Sequence, residues 1–185
     1  MNNDPASNIY KLPVEPGMKV AEFGAGSGAY VFELSKRVGS AGKVYALDVQ
    51  KDILGRLELE ARNQHLNNIE YVHADFEKAG GSKLADASLD FVLLANTMFL
   101  LESKYSGLVE IKRVLKSGGK LAIIEWSGSF GGIGPKSDQI VSDTEAKDIC
   151  AQAGLEFESA FSAGERHYGL IFAKSKMSNN QNQTI

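Results

Sequence analysis

The sequence predicts an α/β fold in which helices cover both faces of a mostly parallel sheet, and three observations predict it. Between Met18 and Lys174, short apolar runs alternate with amphipathic stretches of helical period. A glycine-rich bend, Gly24-Ala-Gly-Ser-Gly28, follows the first apolar run. The last two runs are joined only by Ser162-Ala-Gly-Glu165, long enough for an antiparallel hairpin but far too short for a parallel crossover.

Residues 18–23 read as a buried strand entered through Pro16-Gly17. The glycine bend opens a helix over 28–38, and Lys43-Val-Tyr-Ala-Leu-Asp48 is the second strand. A helix over 51–65 carries Ile53, Leu54, Leu57 and Ala61 on one face. Strands at 69–73 and 89–95 follow, then a helix over 102–116 with Leu108, Ile111 and Leu115 inward. Ser117-Gly118-Gly119 is expected to end that helix before a strand at 120–126. Ser142-Asp-Thr-Glu145 has capping-box spacing and starts the last helix, which Gly154 stops. The closing hairpin pairs 155–161 with 167–173. Residues 1–17, with prolines at 5, 13 and 16, are expected to be irregular apart from one helical turn, and to serve as a lid over the 18–174 domain. The tail, 175–185, rich in Asn and Gln, has little to bury and is expected to be disordered.

A chain of 185 residues fits one domain. A formal charge of -3 and a pI near 5.7 give no electrostatic reason to expect nucleic-acid or membrane binding. No apolar run approaches the ~18 residues of a membrane span, and the N-terminus does not resemble a signal peptide. The single cysteine, Cys150, cannot close an internal disulfide, so the expected compartment is the cytosol. His65, His73 and His167 lie in unrelated segments without ligand spacing, so no metal is expected. Oligomeric state is not readable.

In such sheets ligands bind beyond the carboxyl ends of the strands, where strand order reverses. Gly24, Gly26 and Gly28 clear side chains from the first of these loops, and the helix that follows favours a negative group at its N-terminus. Alone, the bend also satisfies a dinucleotide fingerprint, so an NAD-dependent oxidoreductase stays open. Its neighbours sharpen it. Glu22, two residues before the first glycine, can face an ammonium group, which S-adenosylmethionine has and NAD lacks. Asp48 ends the second strand where ribose hydroxyls need an acceptor. Asp75 can accept from an adenine amino group while Phe76 covers the ring. None of the six tyrosines has a lysine four residues on, which leaves hydride transfer without that constellation.

With Val20-Ala-Glu-Phe-Gly-Ala-Gly-Ser-Gly28, Val44-Tyr-Ala-Leu-Asp48, the Asp75 turn, Asp90-Phe-Val-Leu-Leu-Ala-Asn96 and Arg113-Val-Leu-Lys-Ser-Gly-Gly119 in order, the chain resembles class I S-adenosylmethionine-dependent methyltransferases. The resemblance implies a Rossmann-like fold whose seven-stranded sheet is mostly parallel with an antiparallel last strand. It implies S-adenosylmethionine as cofactor, contacted by Glu22, Gly24, Ala25, Gly26, Gly28, Asp48, Val49, Asp75, Phe76, Ala95 and Asn96. Within the family the chain looks closest to small enzymes related to the ubiquinone/menaquinone-biosynthesis group, through Glu125-Trp126, the loop reaching Gly134-Pro135 and His167-Tyr168-Gly169-Leu170.

The implied reaction is methyl transfer to a small, fairly apolar acceptor on carbon or oxygen, with Asn96, His167 and Tyr168 as candidate catalytic residues. The loop at 127–135, with four glycines, reads as a mobile lid. Each residue also has a structural reading. Asp48 can cap a helix, Asp75 and Asn96 can close turns, His167 can simply pack, and Cys150 belongs in a core. A non-catalytic module that binds S-adenosylmethionine is the remaining alternative.

Overall fold

The computed structural model describes residues 4–131 and 134–176, so the expected disordered tail lies almost wholly outside the described residues. A helix α1 (Pro5–Lys11) precedes the alternating region β1 (Lys19–Phe23), α2 (Ala29–Val38), β2 (Lys43–Asp48), α3 (Lys51–Asn63) and β3 (Ile69–His73). Then come β4 (Leu89–Ala95), α4 (Lys104–Val114), β5 (Leu115–Trp126), α5 (Asp143–Gln152), β6 (Leu155–Ser162) and β7 (His167–Lys174). The seven strands form one sheet in the order β3-β2-β1-β4-β5-β7-β6. The first five are parallel, and β7 runs antiparallel to both β5 and β6. This is the Rossmann-like arrangement with an antiparallel last strand.

Side chains two apart along a strand share a face. Ala21, Phe23, Leu47, Val92, Leu94 and Ile123 face α4 and α5, in a core that also takes Cys150. Val20, Val44, Ala46, Phe91, Leu93 and Ile124 face α1, α2 and α3. The same alternation assigns Glu22, Asp48 and Ala95 to the second face, at the strands' carboxyl ends. Burial of Cys150 pushes its thiol up to about 12.

Two expectations change. The N-terminal segment contains two helical turns rather than one, because Asp4 caps it by accepting from the Ser7 N–H at 3.2 Å and Pro5 occupies the first helical position. Its buried Asn8 amide donates to the Tyr30 hydroxyl and to Ala163 O, both at 3.1 Å, which straps α1 across α2 to the β6–β7 turn. Second, α4 stops at Val114 and β5 begins at Leu115, five residues before the expected strand start. Leu115 already pairs with Leu89, and the register shifts before Lys120 meets Phe91. Gly118, at φ +76°, absorbs that irregularity inside the strand instead of ending a helix.

The last helix starts as expected, with the Ser142 hydroxyl accepting from the Glu145 N–H at 3.1 Å. Buried Glu110 secures the long β3–β4 connection by accepting from the Gly80 and Ser82 N–H groups, each at 3.0 Å, and from Arg113. Burial opposes its charge, yet Arg113, the Ser82 hydroxyl and those amides hold the carboxyl down to about 2.

Candidate active site

Where β1, β2, β3 and β4 end, the molecule holds a cavity of about 470 Å³. The strand order reverses between β1 and β4, the position at which open α/β sheets bind ligands. The volume lies in the range of small-molecule sites, roughly 300–1,000 Å³.

The glycine turn makes one wall. Gly24 and Ala25 N–H groups donate to Leu47 O at 2.9 and 2.8 Å, folding the chain from β1 over the end of β2. Gly24 and Gly28 have φ of +82° and +80°, and a Cβ would stand 2.5 Å from the Thr97 hydroxyl at the first and 2.4 Å from Leu57 at the second. Both positions therefore require glycine for packing as well as for backbone conformation. Gly28 caps α2 with no side-chain hydrogen bond, and the positive end of that helix, at Ala29 and Tyr30, lines the cavity and favours a negative group.

Three carboxylates converge on the cavity. Glu22 is 3% exposed, and its Oε2 has no hydrogen-bond partner. Burial raises its pKa well above the usual carboxylate value, with a further rise from the charge of Asp48, against the lowering effect of the Val31 N–H. Asp48 is oriented on both oxygens: Oδ1 accepts from the Gln50 N–H at 2.9 Å and Oδ2 from the Gly26 N–H at 3.1 Å. Asp75 accepts from the Glu77 N–H at 3.2 Å and pairs with Lys78 at 2.8 Å, which lowers its pKa.

Phe76 packs edge-on against Phe23, centroids 4.9 Å apart, and forms the cavity wall beside Asp75. Val49 stands at the lip, more than half exposed. Asn96, at φ +52°, donates its N–H to Ile124 O at 2.8 Å and leaves Oδ1 buried without a partner.

The chain matches the family described as "Methyltransferase domain" over residues 14–175. It belongs to that family. A solved S-adenosylmethionine-dependent methyltransferase from Aquifex aeolicus superimposes with a TM-score of 0.85 at 31% identity, over 92% of this chain and 89% of that one. Ubiquinone/menaquinone biosynthesis C-methyltransferases are also relatives. The one from Shewanella frigidimarina is 33% identical over 114 residues, and the one from Idiomarina loihiensis 34% over 116. Those alignments cover 60% and 62% of this chain but only 44% and 45% of the relatives, so the chain spans less than half their length. The [4+2]-cyclase SpnF, at 15% identity and a TM-score of 0.79, shares the fold alone.

The methyltransferase takes S-adenosylmethionine as cofactor, and the residues present fit it. The unpaired Oε2 of Glu22 suits the ammonium group, the oriented Asp48 suits ribose hydroxyls, and Asp75 with Phe76 suits the adenine end. Of the residues expected from the sequence, Glu22, Gly24, Ala25, Gly26, Asp48, Val49, Asp75, Phe76, Ala95 and Asn96 line the one cavity. Gly28 sits behind its wall, against Leu57 and Phe32.

Neither closing-strand candidate is among the residues that line this cavity. Tyr168 lies on the α4–α5 face, where its hydroxyl donates to Val141 O at 2.9 Å and burial raises its pKa. His167 lies on the opposite face, its ring 4.3 Å from that of Trp126. The expected lids divide as well. Pro5 of α1 lines the cavity, whereas Gly134 of the 127–135 loop lies against the Trp126 indole.

Sequence reading missed several contributors. Tyr30 and Ile53 line the cavity, although Ile53 had the spacing of a core residue. Glu125 is 1% exposed and accepts from the Met98 N–H at 3.0 Å and the Trp126 N–H at 2.9 Å, fixing the short turn Met98–Leu100 beside the cavity. An acid inside the apolar run Ile123-Ile124-Glu125-Trp126 was the signal for it.

Glu22 gives the apo-methyltransferase a definite pH response. Its folded pKa is raised, so the carboxyl's contribution to stability is full below the unfolded value of 4.5 and is lost as pH rises through the folded pKa. An ammonium group placed against Glu22 would favour the carboxylate, so on this assignment cofactor binding within that window releases a proton. Calorimetric titrations in buffers of different ionisation enthalpy will show that release in the wild type and not in Glu22→Gln. Glu22→Gln also melts higher than the wild type without cofactor at pH 8, and binds cofactor about tenfold or more weakly. Equal proton counts for the two proteins would refute the assignment.

Proposed function

We propose that this methyltransferase transfers a methyl group to carbon on a small, largely apolar acceptor of quinol type. The observation that carries the methyl-transfer reading is the convergence of Glu22, Asp48 and Asp75 on one cavity beside the glycine turn. Three acids suit a cofactor bearing ammonium and sulfonium charges better than a pyrophosphate, which favours methyl transfer over the oxidoreductase alternative. For the acceptor, support comes from the quinone-biosynthesis C-methyltransferases among the relatives and from Pro5, Leu100 and Leu101 along the cavity.

Bound S-adenosylmethionine supplies a methyl group already activated by its sulfonium. The chain's own residues then have to orient and enclose. Asp48 and the glycine turn set the position of the nucleoside end, Glu22 that of the methionine end, and Ala95 with Asn96 bounds the cavity on the β4 side. The described lining residues include no lysine or histidine, so alignment and exclusion of water carry most of the rate. Pro5 and α1 act as a lid on this reading. The lone buried thiol of Cys150 suits a reducing compartment such as the cytosol.

The test is direct. Purified protein with S-adenosylmethionine is offered hydroquinones, naphthols and catechols, and S-adenosylhomocysteine release is followed by mass spectrometry. Ring methylation of a quinol or naphthol, located by NMR, is the expected product. Methyl ethers alone would move the assignment to oxygen, and cofactor binding without any turnover would leave a non-catalytic binding module.

A further inference from the structure

We propose that His167 and Asn96 together recognise an oxygen on the acceptor ring, with Trp126 holding the imidazole in place. The inference rests on the acceptor reading above and adds the residues that would select for a hydroxylated ring.

Strands β4, β5 and β7 lie side by side in the sheet. Asn96 follows β4, Trp126 ends β5, and His167 opens β7 directly opposite Trp126 in the ladder. The imidazole is held tightly. Its ring lies 4.3 Å from the indole at 41°, and the indole is packed in turn by the backbone of Gly134. At Gly134, φ +83°, a Cβ would come within 2.8 Å of Trp126 Cδ2, so no other residue lets the loop lie so close.

Yet this fixed ring makes no hydrogen bond. His167 is 9% exposed, and neither Nδ1 nor Nε2 has a partner. On the far side of β5, the Oδ1 of Asn96 is buried and equally unpaired, and Asn96 lines the cofactor cavity. Buried polar side chains are nearly always paired, so two orphans separated by a single strand at the functional end of the sheet call for a common explanation. A ring hydroxyl provides it for Asn96 Oδ1 and one of the two imidazole nitrogens, because such a group both donates and accepts. A neutral imidazole offers one N–H and one lone pair, and the Asn96 carbonyl oxygen accepts. Burial lowers the imidazole pKa, which keeps it in that neutral form at physiological pH. Both groups act by contact, and no proton need leave the acceptor before the methyl group moves.

Trp126 is the sole tryptophan, so its indole N–H gives one isolated NMR cross-peak that reports on this corner. The full-length protein, saturated with S-adenosylhomocysteine, is titrated with 1-naphthol and separately with naphthalene. The expected result is a saturable shift of the Trp126 peak with 1-naphthol. His167→Phe keeps an aromatic ring against the indole and removes both nitrogens; it binds 1-naphthol about tenfold more weakly and naphthalene as before. It also melts at or above the wild-type temperature, since no unpaired nitrogen is left buried. His167→Gln, which restores a donor and an acceptor, recovers part of the lost affinity. Equal weakening toward both probes, or none toward 1-naphthol, overturns the assignment. If His167→Phe methylates the preferred acceptor with unchanged kcat and KM, this inference falls and the acceptor class stands. If neither probe binds the wild type, both fall together.

Discussion

Asp48→Ala lowers affinity for S-adenosylmethionine about 100-fold or more while leaving the fold intact. The carboxylate ends β2 and lines the cavity with both oxygens oriented, one by the Gly26 N–H and one by the Gln50 N–H. Each oxygen retains a lone pair beyond the amide it already accepts from. Two ribose hydroxyls donating to a charged acceptor contribute about 1.5–3 kcal/mol apiece, and the loss of both corresponds to at least two powers of ten in Kd. Truncation also frees the Gly26 amide, so the glycine turn loses one of its three hydrogen bonds to β2. The substitution is local, however, because Leu47 O still holds the Gly24 and Ala25 amides. Isothermal titration measures the affinity and circular dichroism the fold. Asp48→Asn, which keeps an acceptor but drops the charge, falls between the two. An Asp48→Ala protein that binds within threefold of wild type would remove Asp48 from the cofactor site.

Glu125→Ala has the largest expected effect on stability, a loss of about 3–5 kcal/mol. The side chain is nearly inaccessible and anchors the Met98 and Trp126 amides from the middle of the sheet. Removing it strands two buried donors at about 1–3 kcal/mol each and opens a void between β5 and the turn at Met98–Leu100. Leu100 of that turn and Leu101 just after it line the cavity, so cofactor affinity falls with stability. Burial raises the carboxyl to about 7, against the pull of the surrounding amides from residues 97–99 and Trp126. The sign follows: the contribution of the carboxyl is fullest below the unfolded value of 4.5 and is lost as pH rises through about 7. Glu125→Gln keeps an oxygen for one amide, needs no ionisation, and loses about 1 kcal/mol at pH 8. Urea denaturation at pH 5 and pH 8 resolves all three proteins. A Glu125→Ala variant within 1 kcal/mol of wild type would show that those amides find other acceptors.

Much of the acidic, glycine-lined end of the cavity was legible in the chain because its determinants are local. Glycines at 24, 26 and 28 demand a tight bend wherever they occur, and an acid just before or just after a strand's end is carried to the rim by that strand. The start of β5 was not legible. Ser117-Gly118-Gly119 has the composition of a helix stop, but Leu115 finds a partner in Leu89, and a sheet hydrogen bond outweighs a local turn preference. Nor was Ile53 recognisable as a cavity residue, since a core face and a ligand face share the same apolar spacing. The two closing-strand candidates differ only by parity. Adjacent residues on a strand point to opposite faces, so Tyr168 is committed to Val141 while His167 reaches Trp126.

By itself, the sequence determined the α/β class, the antiparallel close and the acids and glycines brought to the strand ends, because periodicity, turn chemistry and residue type act over a few neighbours at a time. The tertiary structure alone decided that β7 inserts between β5 and β6, that α1 reaches the cavity through Pro5, and that Asn96, Glu125 and His167 stand at neighbouring ends of β4, β5 and β7. Those outcomes depend on which strands pair and on which face each side chain lands. Pairing is settled by burial and hydrogen bonding between segments far apart in the chain, and no local pattern records it.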